Sequence, residues 1–124
     1  MARDFKNIKA WQLADKLTMA IYKLTKNFPK EELYGVISQL RRAAVSVPTN
    51  IAEGATRNSS KEYIQFLYIA KGSLAETEYL LHLSRNLGYL KDDEYGGLND
   101  VRIECAKVLH GLISYVANNK DFGL

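Results

Sequence analysis

The chain has 124 residues, with 17 Lys and Arg against 14 Asp and Glu, and 47% of its residues are hydrophobic. That composition excludes a disordered tail and a collagen. Its one cysteine, Cys105, can close no internal disulfide, which excludes a disulfide scaffold and favours a reducing compartment.

The length fits one domain over residues 1–124 with a single hydrophobic core. Two prolines and eight glycines leave little for the many turns of an all-β design. Charge-free runs such as Ala43–Ala52, which contains Ser46, Pro48, Thr49 and Asn50, fall far short of the ~20 apolar residues that span a bilayer. The start, MARDFKNIKAWQ, is charged where a secretion leader would be apolar. A cytoplasmic, soluble protein without membrane contact is the expectation. The charge is uneven. Residues 1–58 hold ten Lys and Arg against five Asp and Glu, and residues 59–124 hold seven against nine. The N-terminal half is therefore the side for a polyanion.

The first predicted helix runs from about Asn7 to Phe28. Ile8, Trp11, Ala14, Leu17, Ile21, Leu24 and Phe28 recur at steps of three and four, the helical period. Asn7 is the expected N-cap, and Pro29 ends the segment. The second runs from about Glu31 to Thr56 on the seam Leu33, Ile37, Leu40, Ala44, Val47 and Ile51. Pro48 lies inside it, where proline removes one backbone hydrogen bond at a cost of about 3 kcal/mol or more. Because the period continues to Ala55, a kink is expected and not a break. Thr49 and Asn50 are placed to bond the backbone that Pro48 frees.

The third helix runs from about Ser60 to Leu87. Ser59 and Glu62 read as a capping box, and Gly88 as the residue just past the end. Tyr63, Phe66, Ala70, Leu74, Thr77, Leu81 and Ser84 mark one face. Ile64, Leu67, Tyr68, Leu80, Leu83 and Leu87 widen it beyond one stripe, which points to self-association. The fourth runs from about Asp92 to Asn118 on Leu98, Val101, Cys105, Val108, Leu112 and Val116. Its acidic start suits the helix dipole, while Gly96 and Gly97 predict a proper start only at Leu98 or Asn99. Short connections make sequential helices antiparallel, so the expected fold is all-α, an up-down-up-down antiparallel four-helix bundle.

No catalytic constellation, metal site or cofactor motif emerges. Glu-x-x-His, the di-iron signature of helical bundles, does not occur. His82 and His110 fall about 13 residues apart along the bundle, or ~20 Å, too far to share a metal. Cys105 sits on an apolar seam as a small core residue. The glycines form no phosphate cradle.

Three constellations remain. Lys9, Lys16 and Lys23 recur at heptad spacing with Lys26 one turn on. Seven residues fall only ~20° short of two turns, so their ammonium groups lie nearly in line. Such a ridge suits either a solvated face or a nucleic-acid phosphate track, with Tyr22 beside it able to stack on a base. Arg41 and Arg42 fall level with Glu76 and predict an interhelical ion pair, leaving one arginine outward for phosphate or a neighbouring subunit. Glu53 and Arg57, four apart, predict a pair along one helix.

The runs QLRRAAVSVPTNIAEGATR (Gln39–Arg57) and LYIAKGSLAETEYLL (Leu67–Leu81), with the opening FKNIKAWQLADKL, resemble the four-helix-bundle family of 23S rRNA intervening-sequence proteins. A related branch is Avd, the accessory protein of diversity-generating retroelements. The resemblance covers nearly the whole chain, and Arg41, Arg42, Asn50, Glu53, Gly54 and Arg57 match its motif. It implies a homopentameric ring with no established catalytic activity. For the Avd branch it implies contact with nucleic acid and a reverse transcriptase through basic surface residues. The combined expectation is a non-enzymatic oligomer that binds RNA or DNA through Lys9, Lys16, Lys23, Lys26, Arg41, Arg42 and Arg57. A protein–protein scaffold or adaptor is the alternative.

Overall fold

The structure, a computed structural model, describes residues 3–119. It is all-α, and no strand occurs among the described residues. The four long helices are α1 (Lys9–Thr25), α2 (Ser38–Ala55), α3 (Ser60–Asn86) and α4 (Asp92–Asn118). α2 packs on α1 and α3, and α4 packs on α3 and α1. Leu17, Ile21, Leu40, Val47, Ile51, Tyr63, Leu67, Leu81, Leu109 and Val116 are buried in one core to which every helix contributes. None of the helices is long and apolar enough to cross a membrane.

The helix ends show which local signals governed. Asn7 does not cap α1. It closes a short 3₁₀ turn, Phe5–Asn7, in which the Asp4 carboxylate accepts from the Lys6 N–H, and Ile8 stands at the cap position of α1 without a side-chain cap. The second predicted helix is interrupted at its start. A 3₁₀ turn, Lys30–Glu32, leads into a wide π-type turn, Leu33–Ile37, whose Gly35 departs from helical angles, and the regular helix begins only at Ser38. α3 begins at Ser60 as expected, with one half of the expected capping box: the Ser59 hydroxyl accepts from the Glu62 N–H at 3.2 Å. It ends on Gly88 at φ 81°, a left-handed conformation that costs glycine nothing. There the Tyr89 N–H donates to the Ser84 carbonyl and the Gly88 N–H to that of Arg85, both at 2.9 Å, a Schellman closure. α4 starts at Asp92 and not at Leu98, so Gly96 and Gly97 do not delay it. The Glu94 carboxylate accepts from the Lys91 N–H at 2.9 Å, and three acidic residues occupy the first turn. These gains outweigh the ~1 kcal/mol that each glycine costs.

α2 runs through Pro48 without a break. Proline has no N–H, so the Ala44 carbonyl loses its usual partner. Thr18 replaces it from α1: its buried hydroxyl lies 3.0 Å from the Ala44 carbonyl and 2.8 Å from the Ala14 carbonyl. Thr49 and Asn50 do not perform this role. They donate to the carbonyls of Val45 and Ser46, within their own helix. Asn50 also donates to the Ser46 hydroxyl, which accepts from Ser73 of α3 at 2.8 Å. Six residues past Pro48, Gly54 brings α2 close to α3. A β-carbon there would stand 2.9 Å from both Phe66 Cβ and Tyr63 Cδ1.

Two stability outcomes follow. Thr18→Val leaves the buried Ala44 carbonyl unpartnered and should cost about 1–3 kcal/mol by urea or thermal unfolding. In a Pro48→Ala background, where residue 48 regains an N–H for that carbonyl, the same change should cost clearly less. Equal costs in both backgrounds would remove Thr18 from this role. Gly54→Ala should cost about 1–3 kcal/mol, because neither Phe66 Cβ nor the Tyr63 ring is a flexible tip able to yield.

Candidate nucleic-acid interface

α1 buries Ala10, Leu13, Ala14, Leu17, Thr18 and Ile21 on one side. Lys9, Lys16 and Lys23 are all exposed, as their heptad spacing requires. Lys26, also exposed, follows the last residue of α1. None of the four forms an ion pair among the described residues; the pairs found there involve Arg57, Arg85 and Arg102.

Arg41 does not pair with Glu76. It turns the other way, to α1. Its Nε donates to Thr25 Oγ1 at 2.9 Å, its Nη2 to the Tyr22 carbonyl at 3.3 Å, and its guanidinium lies 4.7 Å from the centre of the Tyr22 ring. The last turn of α1 offers a free carbonyl, a hydroxyl and an aromatic face together, which suit a planar cation better than a lone exposed carboxylate does. Arg42, the next residue, is exposed and makes no ion pair among the described residues.

Arg57 lies elsewhere. Its guanidinium is 3.7 Å from Glu53, the pair expected from their spacing, and 4.6 Å from the centre of the Phe66 ring on α3. It is separated from Arg41 by roughly 20 Å or more along α2. The structure therefore groups Lys26, Arg41 and Arg42 at one end and ties Arg57 to α3 at the other.

Sequence reasoning missed several contributors. Lys30 joins Lys26 and Arg41 around a hollow of about 300 Å³ floored by Phe28, Leu33 and Ile37. Tyr34, on the π-type turn, is 94% exposed beside a second hollow of about 330 Å³ that also meets Tyr22, Arg41 and Arg42. That turn is braced from a distance. Glu32 Oε2 accepts from the Tyr89 hydroxyl at 2.6 Å, and Glu32 Oε1 accepts from the Val36 N–H at 3.4 Å. The bond to Glu32, above all, raises the Tyr89 pKa. Arg3 donates from Nη1 to the carbonyls of Ala55 at 2.6 Å and Arg57 at 3.0 Å, at the negative end of the α2 dipole. A basic residue ahead of α1 was visible in the sequence, but nothing local joins residue 3 to residue 55.

Groups of classical reactivity do not converge. Cys105 is buried, with its Sγ 3.8 Å from the Ala10 carbonyl, and burial pushes its thiol up to about 11. His82 lies against Asn86 and Tyr79. His110 lines a separate hollow between α3 and α4 with Glu78 and Arg102, themselves 3.5 Å apart. No group of three or more metal-ligating side chains occurs among the described residues. On the surface of α3, Tyr68, Ile69, Tyr79 and Leu87 stay exposed, whereas Leu67 and Leu80 of the widened stripe enter the core.

These features define a small four-helix all-α protein with a cationic α1 side. Over residues 6–111 the sequence matches the 23S rRNA-intervening sequence protein family, and the chain belongs to it. The fold is also similar to the crystal structure of a protein of unknown function from the S23 ribosomal protein family of Bacteroides thetaiotaomicron VPI-5482. That protein is 26% identical, and the match covers 85% of this chain and 95% of that one with a TM-score of 0.78. No curated protein matches the chain.

The state of Cys105 is open to a direct check. The native thiol should resist iodoacetamide near pH ~8 and react promptly in denaturant. Its pKa is raised from the ordinary 9.0 to about 11, so above pH 9.0 the unfolded chain releases a proton that the folded chain keeps. That contribution to stability is present below pH 9.0 and falls as pH rises towards about 11. Cys105→Ala should show a shallower decline over the same window in urea melts.

Proposed function

We propose that this chain is a non-enzymatic RNA-binding protein that assembles from copies of an up-down-up-down bundle and holds phosphate on its α1 side. The observation that carries the reading is the set of exposed cations without an ion pair among the described residues: Lys9, Lys16, Lys23 and Lys26, with Arg42 in the first turns of α2. Arg41 adds a guanidinium fixed by three contacts to α1. Arg57, already engaged by Glu53 and Phe66, contributes from the opposite end of α2. The family name favours RNA over DNA.

Self-association is supported by exposed Tyr68, Ile69 and Tyr79 on α3 and Tyr115 on α4. A ring of five copies would multiply a modest cationic strip by avidity, so strong charge on one chain is unnecessary. The same exposed side chains favour the second reading, a protein scaffold.

Labelled RNA titrated across a salt series, with the assembly mass measured on the same preparation, separates the two. Binding should weaken steeply with salt. Lys16→Glu with Lys23→Glu should abolish it near ~0.15 M salt. At low salt the double change should reduce the log–log slope by roughly 1.5, while helicity and assembly mass stay unchanged. Affinity that survives the double reversal would overturn the α1 track. An assembled protein that binds no RNA at any salt would leave the scaffold.

A further inference from the structure

Tyr34 is the most exposed large hydrophobic residue described, at 94%, and Leu33 beside it is also exposed. The Tyr34 ring packs on no other ring and its hydroxyl makes no hydrogen bond among the described residues. Such a side chain gains nothing from the fold that displays it. The turn that carries it is nonetheless held in place, by Glu32 bonded to both Tyr89 and the Val36 N–H.

The neighbours of Tyr34 are cationic. The hollow of about 330 Å³ beside it is lined by Tyr22, Leu33, Ile37, Arg41 and Arg42. That volume lies at the low end of small-ligand sites, which run from about 300 to 1,000 Å³. One face of Tyr22 is already covered by Arg41. Tyr34 is therefore the ring still free to stack. Arg41 uses two N–H groups on α1, on the Thr25 hydroxyl and the Tyr22 carbonyl. A guanidinium has five, so three remain for a phosphate. Arg42 has no ion pair among the described residues, and Lys26 and Lys30 line the adjoining hollow. Glu31 and Glu32 are the carboxylates of the preceding 3₁₀ turn, and Lys26, Lys30, Arg41 and Arg42 outnumber them around the two hollows, so the cations prevail.

We infer that this hollow receives one unpaired RNA base, stacked on Tyr34, with its phosphate on Arg41 and Arg42, so that the preferred ligand is single-stranded RNA. The inference rests on the RNA-binding reading and narrows its ligand class. An A-form duplex keeps its bases stacked inside and offers mainly phosphates and 2′-hydroxyls, which would leave Tyr34 unused. A splayed single strand presents an aromatic face and a phosphate together, the two chemistries that meet here.

The test compares a labelled single-stranded RNA with a duplex RNA of the same length, both by fluorescence anisotropy at one salt concentration. Tyr34→Ala should weaken single-strand binding about tenfold or more and leave duplex binding unchanged. Tyr34→Phe should retain the parent affinity, because the ring does the stacking. Arg42→Gln should weaken both ligands and lower the salt slope, whereas Tyr34→Ala should leave that slope alone. Tyr34 is outside the core, so circular dichroism should be the same for each variant. Unchanged single-strand affinity in Tyr34→Ala, or equal loss for both RNAs, would overturn the inference while the α1 track stands. A parent protein that binds neither RNA would overturn the inference and the RNA-binding reading together.

Discussion

The Ala44 carbonyl has no helical donor, because residue 48 is proline, and the Thr18 hydroxyl at 3.0 Å takes that place. The contact is small, but it falls where α2 is most deeply enclosed. Ala43, Ala44, Val47, Pro48 and Ile51 are all buried within three turns of it. An unpartnered carbonyl in such surroundings costs about 1–3 kcal/mol, a large part of the margin of a small domain. With that carbonyl satisfied from α1, α2 continues for two more turns and delivers Ile51, Gly54 and Ala55 to α3. The polar contact thus ties α1 to α2, and the glycine approach ties α2 to α3. α4 then closes against α1 and α3 through residues such as Cys105 and Leu109.

An uninterrupted α2 also separates its two ends, and each is secured differently. The C-terminal end receives Arg3 from ahead of α1, where a cation meets free carbonyls and the negative end of the dipole. The N-terminal end receives nothing so regular. Glu32, reached by Tyr89 from the α3–α4 connection, accepts from an N–H there, and the chain enters α2 through the wide turn around Gly35. Arg41 then binds back to α1 one turn into the helix. The cations of the two ends consequently differ in kind. Arg57 and Arg3 are occupied by protein contacts, while Lys26, Lys30 and Arg42 remain available at the other end.

The four helices and most of their buried residues were legible because burial imposes a period. Leu17, Ile21, Leu40, Val47, Ile51, Leu74, Leu81 and Cys105 lie in the core as their spacing required, but on α4 the core passes through Leu109 and Ile113, and the expected Val101, Val108 and Leu112 are only partly buried. So was the Glu53–Arg57 pair, which depends only on positions along one helix. What escaped was long-range or competitive. Thr18 and Ala44 are 26 positions apart, and no local rule selects threonine over Thr49 or Asn50, both nearer to Pro48. Register alone pairs Arg41 or Arg42 with Glu76, yet the last turn of α1 offers Arg41 a hydroxyl, a carbonyl and a ring at once. Tyr34 fell within a smooth helical period that conceals the irregular turn beneath it. Of the candidate interface, the exposure of Lys9, Lys16 and Lys23 could be read directly from heptad spacing, whereas the grouping of Lys26, Lys30, Arg41 and Arg42 required the fold.

The placement of the ion pairs gives the charge asymmetry its physical meaning. Arg85 meets Asp92 across the α3–α4 connection, and Arg102 of α4 meets Glu78 of α3. These two arginines are thereby drawn towards carboxylates close by, while Lys61, Lys71, Lys91 and Lys107 form no ion pair among the described residues. Along α1 the sole acidic residue is Asp15, which pairs with none of the ridge lysines. Exposed lysines lose little by standing alone, since a surface ion pair is worth only about 0–1 kcal/mol. Stability therefore did not require carboxylates on that face, and their scarcity keeps its potential positive. An uncompensated strip of this kind gains its largest interaction from a ligand that repeats negative charge along its own length, and nucleic acid repeats it at every phosphate.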